Sequence, residues 1–523
     1  MAMRFLPVGP RALLVELDDL EAALALFDAL QASPVPGVAE IVPAARTLML
    51  RTEAGIAADA ALAAEVMARA PAPGTKPAAR STETVELPAL YDGEDLADVA
   101  RHMGLSVAEV IAAHQATTWQ VAFCGFAPGF AYMTCDDARF DLPRRQMPRT
   151  RLPAGSIALA GRFCGIYPKD SPGGWQLIGR TEVPMWDLSR DPAAILRPGV
   201  RCRFVARTAE VHPSAAIPAP VTAPLTEGGL SVLAAPFPML FQDEGRKGHT
   251  GQGVSGSGAL DLEALHRANR AVGNRPGEAA LEITLGPVRL RAGEAMVLAL
   301  TGAGRITLDG RTLAEGTPFA LDPGDEIGIA PPEAGMRSYL ALRGGYAVAP
   351  VLGSASTDTL AGVGPAAVTA GARLALAHRP ASAVSEPEPG PALPGAGAVV
   401  ALPVTLGPRA DWFTEAEIAH FLAQDWLVTP ASSRVGIRLE GEALTRPDAR
   451  ELPSEGTETG AIQIPHAGQP VLFLADHPLT GGYPVIATLR PEALGLAGQI
   501  PPGARIRFVA GEAFTPILPE ARK

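Results

Sequence analysis

Hydrophobic and polar positions change rhythm along this chain. Residues 11–17 (RALLVEL) are an apolar run bounded by charge, the pattern of a short strand. Over residues 18–33 the period lengthens: Leu20, Leu24, Phe27 and Leu30 share one helical face, behind an Asp able to accept from the helix's free N–H groups. Residues 39–52 read as extended and 56–70 as a second helix, and the Pro-rich stretch 70–81 closes a small α/β unit. A strand over 83–91 comes next, then helices over 95–103 and 106–116. Ser106 and Glu109 stand three apart, as a capping box requires. After Trp119 the pattern becomes short strands punctuated by Gly and Pro, interrupted by helices over 261–274, ending at Gly273, and 414–424, opened by Thr414 and Glu417.

One signature recurs. Gly173-Gly174-Trp175, Gly344-Gly345-Tyr346 and Gly481-Gly482-Tyr483 each precede an apolar run, and Gly-x-Arg follows 25, 26 and 21 residues after the second glycine, at Gly199, Gly371 and Gly503. A double glycine permits positive φ and close backbone approach, and the residues after each Gly-x-Arg alternate as a half-buried strand. Three copies predict three related β-barrel units made by duplication. Their spacing is too long for a solenoid.

Composition narrows the class. About one residue in five is Gly or Pro, dispersed through apolar sequence, which favours short strands and tight turns. At 523 residues the chain has room for three or four domains. A net charge of −11 without a basic block argues against phosphate-backbone binding, hence against nucleic acid. No uncharged apolar run reaches the ~18 residues of a membrane span, and the early prolines Pro7 and Pro10 argue against a signal peptide. Four cysteines without a CxxC and nine scattered histidines predict a cytoplasmic protein with reduced thiols and no metal site. Residues 212–229 and 378–397 are Pro/Ala-rich and read as joins.

Longer segments carry a family resemblance. FCGFAPGFAYM (123–133), PRTRLPAGSIALAG (148–161) and GIYPKDSPGGWQLIGRT (165–181) resemble the B subunit of 5-oxoprolinase, also called allophanate hydrolase subunit 1 or the Kip-type kinase inhibitor. FQDEGRKGHTGQGVSGSGALD (241–261), ANRAVGNRPGEAALEITLGP (268–287), ALRGGYAVAPVLGSAS (341–356), GPRADWF (407–413) and residues 452–489 resemble the C subunit of 5-oxoprolinase, or allophanate hydrolase subunit 2. Glu244, where that family usually shows Leu, departs from its pattern. The resemblance covers nearly the whole chain. It implies a mainly β protein with an α/β N-terminal lobe and three cyclophilin-like β-barrel domains. The expected units are a lobe over 1–80, barrels over 81–210, 230–380 and 398–523, and linkers over 211–229 and 381–397. It further implies fused B and C subunits acting with a separate A subunit in ATP-dependent opening of 5-oxoproline to glutamate, ATP being bound with or by that partner. Two alternatives stand beside it: a carboxyltransferase-like unit acting on urea or a related amide, and a sensor-kinase-binding protein. The chain shows no P-loop, no ATP-grasp pattern and no biotin-attachment motif. A homo-oligomer is compatible with the sequence.

Candidate residues follow from motif position. Convergent arginines would stabilise an oxyanion or carboxylate. Arg149 and Arg151, two apart in an extended segment, would share a face, the plainer alternative being salt bridging. His114, at a helix end, is a candidate base, or a cap on last-turn carbonyls. Asp243 and Arg246 share one loop with Gln242. Substrate contacts are expected from Phe126 and Gly129 in an aromatic turn, and from Tyr167 and Ser171, the latter alternatively a turn cap. Ser257 lies in a Gly/Ser-rich loop leading to a helix that Asp261 would cap. Asn269 lies near that helix's end. Glu282, in an apolar strand, would face a pocket or form an edge salt bridge. Arg343, Arg434, Glu455 and Gln463 complete the set.

Overall fold

The computed structural model describes residues 3–77, 83–145, 147, 149–207, 228–447 and 450–520. The join expected at 211–229 falls almost entirely outside them.

The N-terminal lobe is a four-stranded antiparallel sheet, ordered Arg4–Gly9, Ala12–Glu16, Thr47–Thr52, Val38–Pro43, with helices Leu20–Ala32 and Ala60–Ala68. Asp19 accepts from Ala22 N at 2.8 Å and Asp59 caps the second helix in the same way. Strand alternation splits the apolar residues between two faces. Phe5, Leu13, Val15, Leu48 and Leu50 pack against the helices, whereas Leu6, Leu14, Val42 and Met49 turn to the far side and meet Leu479 of the last barrel. This second contact is why Ala12–Glu16 is buried along its whole length.

Two later units share one topology. In the first, the strand order is Gln176–Arg180, Ser156–Ala160, Phe163–Ile166, Ala131–Thr134, Trp119–Cys124, Arg201–Ala206, Thr84–Ala89. Leu90 and Arg180 close the ring by exchanging backbone hydrogen bonds of 2.8 Å. The last unit repeats this order in a closed barrel: Val485–Leu489, Ala461–Gln463, Val471–Phe473, Gly436–Glu440, Trp426–Val428, Arg505–Ala510, Val399–Leu406. In both, the strand after Gly-x-Arg runs parallel to the unit's first strand and antiparallel to its second. In both, the double glycine follows a two-stranded ribbon and leads into a core strand.

The middle unit departs from the repeat. Its six- and five-stranded sheets enclose a core of Val232, Leu290, Ile329, Leu281, Leu298 and Leu340. Gly344 and Gly345, at φ +78° and +76°, form a turn after strand Arg337–Leu342, and strand Arg373–Leu374 runs antiparallel to Leu230–Ala234. The double glycine there reverses the chain, where its counterparts feed a strand. Helix Leu262–Ala271 packs on the outer face of the five-stranded sheet through Ala264, Leu265 and Ala268.

Two further expectations change. Residues 378–397 lie strapped along the middle unit: Ser382 N donates to Gly273 O (2.7 Å), and Arg270 grips Glu388 (2.8 and 2.6 Å). These anchors, with Ser385 N donating to Ala271 O at 3.1 Å, hold the segment in place despite its low apolar content. Ser106 and Glu109 form the full capping box. Thr414 accepts from Glu417 N, but the Glu417 carboxylate turns to Thr445 (2.9 and 2.8 Å), so only half that box forms. Among the described residues no helix is long and apolar enough to cross a membrane.

Candidate active site

The three barrel units meet at a junction built from glycine contacts. The turn Gly125–Phe130 of the first barrel presses on both others. Phe126, at φ +63°, donates its N–H to Thr480 Oγ1 of the last barrel at 3.1 Å. A Cβ on Gly125 would lie 2.4 Å from that same oxygen. Gly129 N donates to Gln252 O of the middle unit at 2.9 Å, and a Cβ on Gly253 would lie 2.6 Å from Ala127 O. Gln252 Oε1 also accepts from Ala194 N at 3.1 Å. These approaches leave no room for side chains, so the halves of the chain interlock through backbone.

Beside this junction lies a buried ionic centre. Arg434 donates to Asp476 (Nε–Oδ2 3.0 Å, Nη2–Oδ1 2.9 Å), to Glu282 Oε1 (2.5 Å) and to Gly258 O (2.6 Å). Asp476 also accepts from Ser257 Oγ (2.7 Å) and from Thr359 N and Oγ1 (2.8 and 2.7 Å). Glu282 accepts from Tyr339 OH at 2.8 Å. One carboxylate comes from each of two units and a single guanidinium spans them. Such an arrangement persists only because each lone pair finds a donor.

Asp358 completes the centre. It is 1% exposed and accepts from Ser255 Oγ (2.8 Å) and Ala361 N (2.7 Å). Burial, with the negative charge of Asp476 beside it, pushes its carboxyl up to about 6. Burial also raises Asp476, but Arg434 outweighs this and holds it below the usual carboxylate range. Two neighbouring carboxyls are therefore driven apart, one ionised and one poised to exchange a proton near neutrality. Arg246, buried, gives one Nη2 hydrogen bond to Ser356 O; its Nε and Nη1 find no partner among the described residues. Burial lowers its pKa, opposed by the charges of Asp358, Asp243 and Asp476. Lys169, from the first barrel, is lowered by burial and raised by Asp358. An unsatisfied guanidinium, a proton-exchanging acid and a lysine from another unit can bind an anionic or carbonyl oxygen and move a proton.

The structure sorts the sequence candidates. Arg246, Ser257, Glu282 and Arg434 come together here. Glu282 sits in a buried ion pair, in place of the pocket or edge bridge expected. Asp243 stands behind Arg246, accepting from Ser354 Oγ (2.6 Å), Ser356 Oγ (2.5 Å), Ala355 N (2.7 Å) and Gly245 N (2.8 Å), which shapes the loop. Phe126 and Gly129 serve the junction. Tyr167 belongs to an aromatic cluster with Phe126, Phe130 and Trp175. Ser171 Oγ donates to Lys169 O at 3.0 Å, the turn cap.

Several expectations are corrected. His114 is no exposed base: it is fully buried against Trp119, Phe140 and Phe204, bonded to Tyr91 OH at 2.8 Å, and burial holds it at about 3. Arg149 pairs with Asp95 (2.7 Å) and Glu94 (2.9 Å), and exposed Arg151 with Asp170 (2.6 Å), so neither guanidinium joins the centre. Asn269 holds the 276–278 backbone, donating to Pro276 O (3.1 Å) and Glu278 O (2.7 Å). Arg343 clamps the strap through Val272 O (2.8 Å) and Ser382 O (2.5 Å). Glu455 is buried with Arg409, which also meets Glu16 at 2.9 Å and so ties the N-terminal lobe to the last barrel. Gln463 Nε2 has no partner among the described residues, close against Gly481.

Sequence reasoning missed Asp358, Asp476, Lys169, Thr480 and Arg409. Asp476 carried a usable signal, an acid directly after the apolar run Val471–Ala475. Among the described residues no group of three or more His, Cys, Asp and Glu is placed to hold a metal.

Comparison with known proteins agrees with this architecture. Two family models match: "carboxyltransferase domain, subdomain C and D" over residues 3–196 and "carboxyltransferase domain, subdomain A and B" over 252–510. The 5-oxoprolinase C subunit of Escherichia coli K12 is 37% identical over 54% of this chain and 90% of its own length. The 5-oxoprolinase B subunit of Escherichia coli O157:H7 is 44% identical over 23% of this chain and 57% of its own length. The crystal structure of TTHA0988 superposes with a TM-score of 0.83 at 33% identity, covering 95% of this chain and 99% of that one.

Proposed function

This chain belongs to the carboxyltransferase-domain family, with subdomains C and D ahead of A and B, and on that premise we propose that it is the fused B–C component of an ATP-dependent 5-oxoprolinase. It acts on a small lactam with a separate A-like subunit, and ATP is bound with or by that partner. The observation that carries the reading is the composite centre: Lys169 from the first half and Arg246, Asp358, Arg434 and Asp476 from the second stand at one junction. Only a chain containing both halves, or a tight complex of two, possesses it.

The geometry supports a division of labour. Opening the lactam consumes one water: the C–N bond breaks, the water oxygen bonds to the carbonyl carbon, and a proton is delivered to the departing nitrogen. The free edge of Arg246 is suited to an anionic oxygen, where a buried guanidinium acts strongly. Asp358 is suited to carry the proton. Arg434 and Asp476 hold the Ser257 and Thr359 loops in place. The test is release of glutamate from 5-oxoproline and ATP by an A-like subunit, with and without this chain. Stimulation that requires the chain supports the reading, and its absence removes it. The family model's description favours one second reading, carboxyl transfer onto a small amide such as urea. That reading predicts urea consumption dependent on a biotinylated carrier.

A further inference from the structure

Away from the ionic centre, on the other side of Asp243, the middle unit carries a cleft of about 420 Å³. That volume lies within the ~300–1,000 Å³ range of small-molecule sites. Ala279, Ala355, Val348 and Pro350 give it apolar wall, and Arg275, Arg379, Glu244 and Glu278 give it charge. The Asp243 oxygens are committed to the Ser354–Ser356 loop.

The charged residues are paired unequally. Glu244 Oε1 bonds His266 Nε2 at 2.9 Å, and Glu278 Oε1 bonds Arg379 Nη1; the second oxygen of each carboxylate has no partner among the described residues. Arg275 lines the same cleft, is exposed, and has no side-chain hydrogen bond or ion pair among the described residues. A cation and two half-free carboxylates therefore share one concavity while standing farther apart than the 4.0 Å of an ion pair. Left to themselves on a flexible surface, such groups would close on each other. Here no ion pair joins Arg275 to either carboxylate among the described residues, and the three groups match a molecule carrying both charges. Gly277 lets the Glu244 carboxylate lie close over the backbone, since a Cβ there would lie 2.7 Å from Glu244 Cδ.

We propose that this cleft binds a zwitterionic α-amino acid, its carboxylate on Arg275 and its ammonium between Glu244 and Glu278. The choice of glutamate as first probe rests on the ring-opening reading; the zwitterion class does not. The floor of the cleft is Asp243, whose partner Ser356 also accepts from Arg246, so an occupant would sit one hydrogen-bonded loop away from the ionic centre.

The test is isothermal titration of the whole chain, without ATP or partner, using L-glutamate, glutarate and 5-oxoproline. Glutarate lacks the ammonium, and the nitrogen of 5-oxoproline is a neutral amide. The expected result is saturable 1:1 binding of L-glutamate, at least about tenfold tighter than either control, with about tenfold loss in Arg275→Ala and in Glu278→Gln. Because the Arg275 side chain has no protein partner, its variant should keep the wild-type unfolding midpoint. Absence of saturable amino-acid binding, glutarate binding as tight as glutamate, or an Arg275→Ala variant that binds normally would each overturn the proposal. Binding without ring-opening activity would overturn only the functional reading, and activity without binding only this one.

Discussion

Replacing Arg434 with Met keeps the length of the side chain and removes its charge. Asp476 and Glu282, both with fully buried side chains, then lose their shared cation. Glu282 retains Tyr339 OH at 2.8 Å and the more distant Arg337 at 3.8 Å, and Asp476 retains Ser257 and Thr359. Leaving a buried charge uncompensated costs about 3–5 kcal/mol, and protonation of one carboxyl keeps the two losses from adding. The pH dependence has a definite sign. Arg434 holds Asp476 below its ordinary range, so this contribution is present above the unfolded pKa, ~3.9, and is lost as pH falls through the folded value. In Arg434→Met, burial of Asp476 is opposed only by its bonds from Ser257 and Thr359, and its carboxyl titrates higher. The penalty should therefore be largest near pH 7.5 and smaller near pH 5. Urea unfolding followed by tryptophan fluorescence at both pH values measures it. A triple variant, Arg434→Met with Asp476→Asn and Glu282→Gln, should recover at least half the loss. A penalty below about 1 kcal/mol at pH 7.5, or one that grows on acidification, would refute the reasoning.

Two further outcomes are expected. Asp358→Asn should lower the rate of the chain-dependent reaction by about 10²–10⁴ and abolish any inflection in its pH profile near 6, without lowering the unfolding midpoint at pH 7.5, because a buried carboxyl with a raised pKa loses stability as pH climbs past its unfolded value; activity within threefold of wild type would exclude it as the proton carrier. Gly253→Ala, at φ +78° with Ala127 O 2.6 Å from the new Cβ, should cost about 1–3 kcal/mol and make residues 123–131 more susceptible to proteolysis, and an unchanged cleavage pattern would show that the junction does not depend on that approach.

Local pattern carried the elements of this protein. The helix over 18–33, the Ser106 box and Gly273 at a helix end rest on interactions within a few residues, and the strands after Gly-x-Arg in the first and last barrels form where the alternation places them. The double glycine was readable as a steric permission but not as a direction. In the first and last barrels it leads into a strand and in the middle unit it turns the chain back, because the packing around it differs. The site lay beyond local reading for the same reason. Arg434 meets Glu282 across 152 residues and Phe126 meets Thr480 across 354. Nothing around His114 in the sequence separates a helix-end base from a core side chain, and nothing beside Asp358 marks it as the carboxyl that burial and Asp476 drive upward. By itself the sequence determined where the backbone coils, extends and turns, since those choices are made by neighbours along the chain. Tertiary structure alone decided which charges are paired, which are left free and which titrate near neutrality, because the energy of a charge depends on the solvent, dipoles and counter-charges brought around it from everywhere else.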